Sequence, residues 1–148
     1  MRKHNQHLCL FAGLMLGVPA IAEQWFTVAR PGADAASTWV EIDLDTVRER
    51  SQGGERVVRI TFDMPQPHSA GYRYRSFIAS AQFDCQRRRI SLTSAAYYAQ
   101  PAGKGARLGA DNAAKDPGIP PALLDSIPVA ARRSLLRATC GTTQTSAA

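Results

Sequence analysis

The sequence predicts an α+β domain: a curved antiparallel β-sheet of about five or six strands, packed against one C-terminal helix and stapled by one disulfide. Three observations carry that expectation. Apolar and polar residues alternate through the middle of the chain, which is the period of half-buried strands. One stretch near the C-terminus shifts to helical spacing. Two cysteines, an even number, remain once an N-terminal leader is set aside.

The leader comes first. Arg2 and Lys3 precede an apolar run, Leu8 to Val18, that is too short to span a bilayer comfortably, and Ala20-Ile21-Ala22 has the small-x-small form of a cleavage site. Residues 1–22 are therefore expected to be a signal peptide cut after Ala22, followed by one domain over 23–141 and a flexible tail over 142–148. Cys9 stands at the start of the apolar run rather than at its end, so a lipid anchor through it is not expected. No later segment is apolar enough to cross a membrane as a helix. The expected address is the periplasm, with the cell surface or the medium as further destinations.

Gln24 to Ala29 reads as a first strand. Val40, Ile42 and Leu44 alternate with Trp39, Glu41 and Asp43, and Val58, Ile60, Phe62 and Met64 alternate with Val57, Arg59, Thr61 and Asp63. A long strand puts Phe77, Ala79, Ala81, Phe83 and Cys85 on one face and Ser76, Ile78, Ser80, Gln82 and Asp84 on the other. After a tight connection at Gln86-Arg87, Ile90 and Leu92 resume one face, with Arg89, Ser91, Thr93 and Tyr97 opposite. Pro31-Gly32, Gly53-Gly54 and the stretch from Pro65 to Gly71 mark turns. Pro101 to Pro121, with four prolines and four glycines, reads as a long loop with room for a short strand at Ala106–Leu108.

One helix follows. Pro128 suits a first helical turn and Gly141 a stop. Ile127, Ala131, Leu135 and Ala138 fall on one face with Leu136 beside them, and Arg132, Arg133 and Arg137 lie largely off it.

Cys85 and Cys140 are the cysteines that survive the leader, and an even count in an exported chain argues for a bridge between them. Closing a loop of that length is worth about 4 kcal/mol in the chain-entropy account. The competing reading, a catalytic thiol, needs a histidine partner, and the mature chain offers only His68 in a Pro-rich turn. Two distant cysteines and one histidine do not match the spacing of a closed zinc site.

The formal net charge of +6 includes Arg2 and Lys3 of the leader, and the mature chain carries fourteen arginines against Lys104 and Lys115. Arg73, Arg75, Arg87, Arg88 and Arg89 flank the long strand and are the candidate residues for an anionic partner, a glycan or an acidic protein; the plainer reading is a solvated sheet edge. Alternation sends Arg88 and Arg89 to opposite faces, so this run cannot form one patch by itself. Nucleic acid is not the expected partner, because it requires a basic stripe interleaved with aromatics or a recognition helix and is rarely met after export. Asp43 and Asp45 share a face, but two carboxylates without further oxygen ligands make a poor cation site, and capping the turn at Thr46 is the expected role. No nucleophile elbow, zinc-protease helix, phosphate loop or paired-cysteine redox motif is present. No catalytic residue, cofactor or metal is expected.

In order, the segments WVEIDLDTV (Trp39–Val47), YRSFIASAQFDC (Tyr74–Cys85), RRRISLTSAAYY (Arg87–Tyr98) and IPVAARRSLLRATC (Ile127–Cys140) resemble the surface-adhesin protein E family of exported bacterial proteins. The resemblance runs from about Trp25 to Cys140. It implies an antiparallel sheet with a packed helix, a Cys85–Cys140 bridge, binding of host extracellular-matrix protein and association as a homodimer. The adhesin of that family is displayed as a lipoprotein, and this chain lacks the lipid cysteine, which favours the periplasm. Two functions follow as expectations: a non-catalytic binding protein that uses an exposed sheet face or the 101–121 loop, or a periplasmic structural or envelope-stress protein, an inhibitor among them, with no adhesin role.

Overall fold

A computed structural model describes residues 24–30, 38–46, 53–117 and 119–141. The expected leader, the turn at Pro31-Gly32 and the C-terminal tail lie outside the described residues. Six strands form one sheet: β1 (Trp25–Ala29), β2 (Thr38–Asp43), β3 (Gly53–Pro67), β4 (Arg73–Asp84), β5 (Arg89–Tyr98) and β6 (Arg107–Asn112). Their order in the sheet is their order in the chain, and each neighbouring pair is antiparallel. Two helices follow, α1 (Ile119–Asp125) and α2 (Val129–Cys140).

The alternation works as its period demands. Val40, Ile42, Val58, Ile60, Phe77, Ala79, Ala81 and Phe83 are all buried on one face of the central strands. Leu123 of α1, Ile127 between the helices, and Ala131 and Leu135 of α2 close over them. Each large aliphatic or aromatic side chain so enclosed is worth about 1.5–3 kcal/mol. Ala138, placed on that helix face by its spacing, is exposed instead.

Cys85 and Cys140 are bonded, with Cα atoms 5.4 Å apart across 55 positions of sequence. The bond fastens the turn after β4 to the last residue of α2.

Several local expectations are corrected. The 101–121 stretch is more structured than a loop: it contains β6, which is longer than the short strand foreseen, and the first residues of α1. Pro120 and Pro121 sit in the first turn of α1, where a missing N–H costs no intrahelical bond. Gly53-Gly54 is the start of β3 and not a turn; Gly53 pairs with Asp84 at φ 120°, and a side chain there would run into the Phe83 carbonyl. Leu44 leaves the sheet in a one-turn 3-10 helix (Leu44–Thr46) and is 43% exposed. Strand β3 runs on to Pro67, so the turn occupies only the residues around His68–Gly71, where the His68 N–H donates to Tyr72 and the Gly71 N–H to His68. The other connection is longer than Gln86-Arg87: it takes Cys85 to Arg88.

Two irregularities explain the remaining differences. Between β4 and β5, Ser80 faces Ser94 while Ala81 faces Leu92, so Thr93 is the extra residue of a β-bulge. A one-residue slip exchanges the faces of a strand. Inward positions therefore change from Leu92 to Ala95 and Tyr97, and Tyr97, expected outside, is fully buried. Between β3 and β4, the pairing jumps from Thr61–Ser76 to Gln66–Tyr74. Met64 lies in the unpaired stretch and is 71% exposed, against the expectation that it continues the inner row.

Candidate functional site

Strand β4 has twelve residues, and at about 3.3 Å per residue its two ends are roughly 40 Å apart. The five arginines singled out by sequence divide between those ends. Arg73 and Arg75 stand at the first, where β3 bulges away and leaves its carbonyls without ladder donors. Arg73 Nη2 donates to the Pro65 carbonyl at 2.7 Å, and Arg75 Nη2 to that of Asp63 at 2.6 Å. These guanidinium groups replace missing strand hydrogen bonds.

The same end holds a group that sequence did not foresee. Asp111 of β6 accepts from the Tyr97 hydroxyl at 2.6 Å and pairs with His68 Nε2 at 3.0 Å, through one oxygen. The Ala70 N–H donates to His68 Nδ1 at 3.1 Å, so Nδ1 is the acceptor and Nε2 carries the proton given to Asp111. The ring stacks on Tyr72 at 4.4 Å and meets Tyr97 edge-on at 4.6 Å. Burial raises the pKa values of Tyr97 and Tyr72, with Asp111 adding to both; Tyr74 is pushed up to about 12 by burial first and then by Tyr72 and Asp111. A cavity of about 440 Å³ opens beside His68, Tyr74 and Tyr97, under Leu123. Both nitrogens of His68 are occupied, so it has no lone pair for proton abstraction in this arrangement, and β4 keeps it far from Cys85. The cluster ties the β3–β4 turn to β6.

At the other end, Asp84 closes the β4–β5 turn. Its carboxylate accepts the Arg87 N–H and the Arg87 guanidinium, each at 2.9 Å, and these bonds, the backbone one first, hold its pKa below the ordinary carboxylate value. Arg88 is left-handed at φ 53°, a conformation that costs a non-glycine residue about 1 kcal/mol or more. Its Nη1 lies 3.4 Å from the Gly141 carbonyl, one residue beyond the disulfide.

Arg88 and Arg89 then meet Arg132 and Arg133 of α2 around one cleft of about 340 Å³, lined also by Ile90, Leu124, Val129 and Leu136. Alternation alone had separated Arg88 from Arg89. The left-handed residue breaks that alternation, and the disulfide brings α2 alongside. Arg132 holds Asp125 at 3.3 Å, an exposed contact. The side chains of Arg89 and Arg133 have no hydrogen-bond or ion-pair partner among the described residues. Arg132 and Arg133 were noted in the sequence only as lying off the helix's apolar face.

The outer sheet face is partly covered. The one-turn 3-10 helix Pro101–Gly103 folds back across it: the Ala102 N–H donates to Thr61 Oγ1 at 3.1 Å and the Gly103 N–H to Ser76 Oγ at 2.9 Å. Ser76 in turn donates to the Gln100 carbonyl, which explains why a residue expected on a solvated face is fully buried. Gly103 lies so close that a Cβ would stand 2.7 Å from Ile78 Cδ1. Beside this strap, Arg59 pairs with Glu41 at 2.7 Å and stacks over the Trp25 ring at 4.2 Å. Asp43 caps its own turn, accepting the Asp45 N–H at 3.0 Å on its side chain and the Thr46 hydroxyl at 2.7 Å on its carbonyl.

No helix among the described residues is long and apolar enough to cross a membrane. The family described as surface-adhesin protein E matches residues 25–141. No curated protein and no solved structure matches the chain.

Proposed function

The chain belongs to the surface-adhesin protein E family, and from that premise we propose that it is an exported, non-catalytic binding protein. Its leader is removed after Ala22, the domain of 23–141 works in the periplasm or at the cell surface, and its partner is a protein or an anionic glycan. We place the binding site at the β4–β5 end. The observation that carries this reading is the convergence of Arg88, Arg89, Arg132 and Arg133 on one cleft that has no acid among its described lining residues, Asp125 touching only Arg132 from outside it. Like charges held together repel one another, and an anion relieves that repulsion while gaining charge-assisted hydrogen bonds. Arg73 and Arg75, committed to backbone carbonyls, support the sheet and not the partner. The 101–103 strap is likewise engaged with Thr61 and Ser76.

Retention on immobilised heparin tests the site. The purified exported protein should elute above physiological ionic strength, and the double variant Arg89→Gln/Arg133→Gln should elute well below it. Equal retention of the two would move the site elsewhere. Protease treatment of intact cells tests the address: cleavage only after the outer membrane is opened places the domain in the periplasm and removes the simple adhesin role.

A further inference from the structure

We propose that the arginine cleft takes an acidic protein segment bearing an aliphatic side chain between its carboxylates. This rests on the reading of the cleft as the anion site and specifies its partner. The rim is made of guanidinium groups, but the floor is not polar: Ile90, Leu124, Val129 and Leu136 form it, and Val129 is 54% exposed. An electrostatic patch needs no such floor. Exposed aliphatic surface beneath a charged rim gains free energy only when an apolar group covers it.

That requirement separates the classes of anion. A sulfated or carboxylated glycan satisfies the rim and offers the floor only hydroxyl-bearing rings. A bilayer surface is flat, so its phosphates reach the rim while the concave floor stays wet. A protein segment supplies both chemistries at the right scale: carboxylates that pair side-on with guanidinium forks, and a branched side chain that enters a cleft at the small end of ligand-sized cavities. Asp125, on Arg132 at 3.3 Å, shows that a carboxylate can already rest on this rim. The walls come from the β4–β5 turn, the start of β5, α1 and α2, and the Cys85–Cys140 bond joins that turn to the end of α2, so little ordering remains to oppose binding.

Fluorescence anisotropy on the purified exported protein decides the matter with four probes: a labelled peptide alternating Glu with Leu, a peptide of equal length and charge with Ser in place of Leu, a heparin fragment, and vesicles of anionic phospholipid. The Leu peptide should bind about tenfold more tightly than the Ser peptide, a difference of about 1.4 kcal/mol. Val129→Ser, at an exposed position, should bring that ratio toward one. Arg133→Gln should weaken both peptides. Equal affinity for the two peptides, or tighter binding of heparin or vesicles than of the Leu peptide, overturns the inference and leaves the anion site standing. Failure of every polyanion to bind removes the anion site as well.

Discussion

At the β3–β4 end of β4, Arg73 and Arg75 donate to carbonyls that a bulge left bare, and His68, Tyr97 and Asp111 satisfy one another. At the β4–β5 end, Arg89 and Arg133 reach the surface with no partner among the described residues, above an aliphatic floor. The residue types are similar and their employment is opposite. The difference shows that arginine density in a sequence does not locate an anion site. What matters is whether the nearby backbone needs those donors. At the first end substitution should lower stability, and at the second it should lower binding.

The largest effect should come from cutting the tie between the walls of the cleft. Cys85→Ser/Cys140→Ser should cost about 2–5 kcal/mol in denaturant unfolding. Binding of polyanions should weaken with it, and a stability unchanged by the double substitution would break the account of the second end. Next, Asp111→Ala orphans the Tyr97 hydroxyl and His68 Nε2 together, and should cost about 3 kcal/mol while heparin retention stays normal. Loss of retention without loss of stability would reverse the roles of the two ends.

Alkaline titration sharpens the same contrast. The fold favours neutral Tyr74 and Tyr97, whose folded pKa values lie above the unfolded value near 10. Their contribution is therefore complete below about pH 10 and declines as pH rises toward the folded values. Tyrosinate absorbance and loss of the fold should rise together above pH 10, and ionisation of all tyrosines near pH 10 in the intact fold would contradict the buried cluster. The smallest effect has the opposite sign. Arg88→Gly relieves the left-handed strain and should stabilise the protein by about 1 kcal/mol while weakening anion binding. A destabilised glycine variant would show that the Arg88–Gly141 contact outweighs the strain.

The sheet and the main helix were legible in the sequence because their signal is periodic, and the disulfide because exported cysteines come in pairs. The cleft was not. It depends on one left-handed residue and on a helix brought in by a bond 55 positions long, and neither has a period. Tyr97 was misplaced for a similar reason: nothing in Ser91–Ala95 distinguishes the bulge at Thr93 from regular strand. Strand β6 and α1 were hidden by glycines and prolines, whose breaking signal is stronger than the weak alternation of Arg107–Asn112. Asp111 carried no local mark of its pairing with His68, a contact between residues 43 positions apart.

The single added residue at Thr93 sets which side chains of β5 face the helices. Pairing it as regular strand would carry Ser94 and Tyr98 inward in place of Ala95 and Tyr97, whereas deleting it would leave Ala95 opposite Ala79 and Tyr97 opposite Phe77, with the Tyr97 hydroxyl still on Asp111. Between Leu92 and Tyr97, then, the loss of one residue at the bulge straightens the strand without exchanging the lining of the protein for its coat.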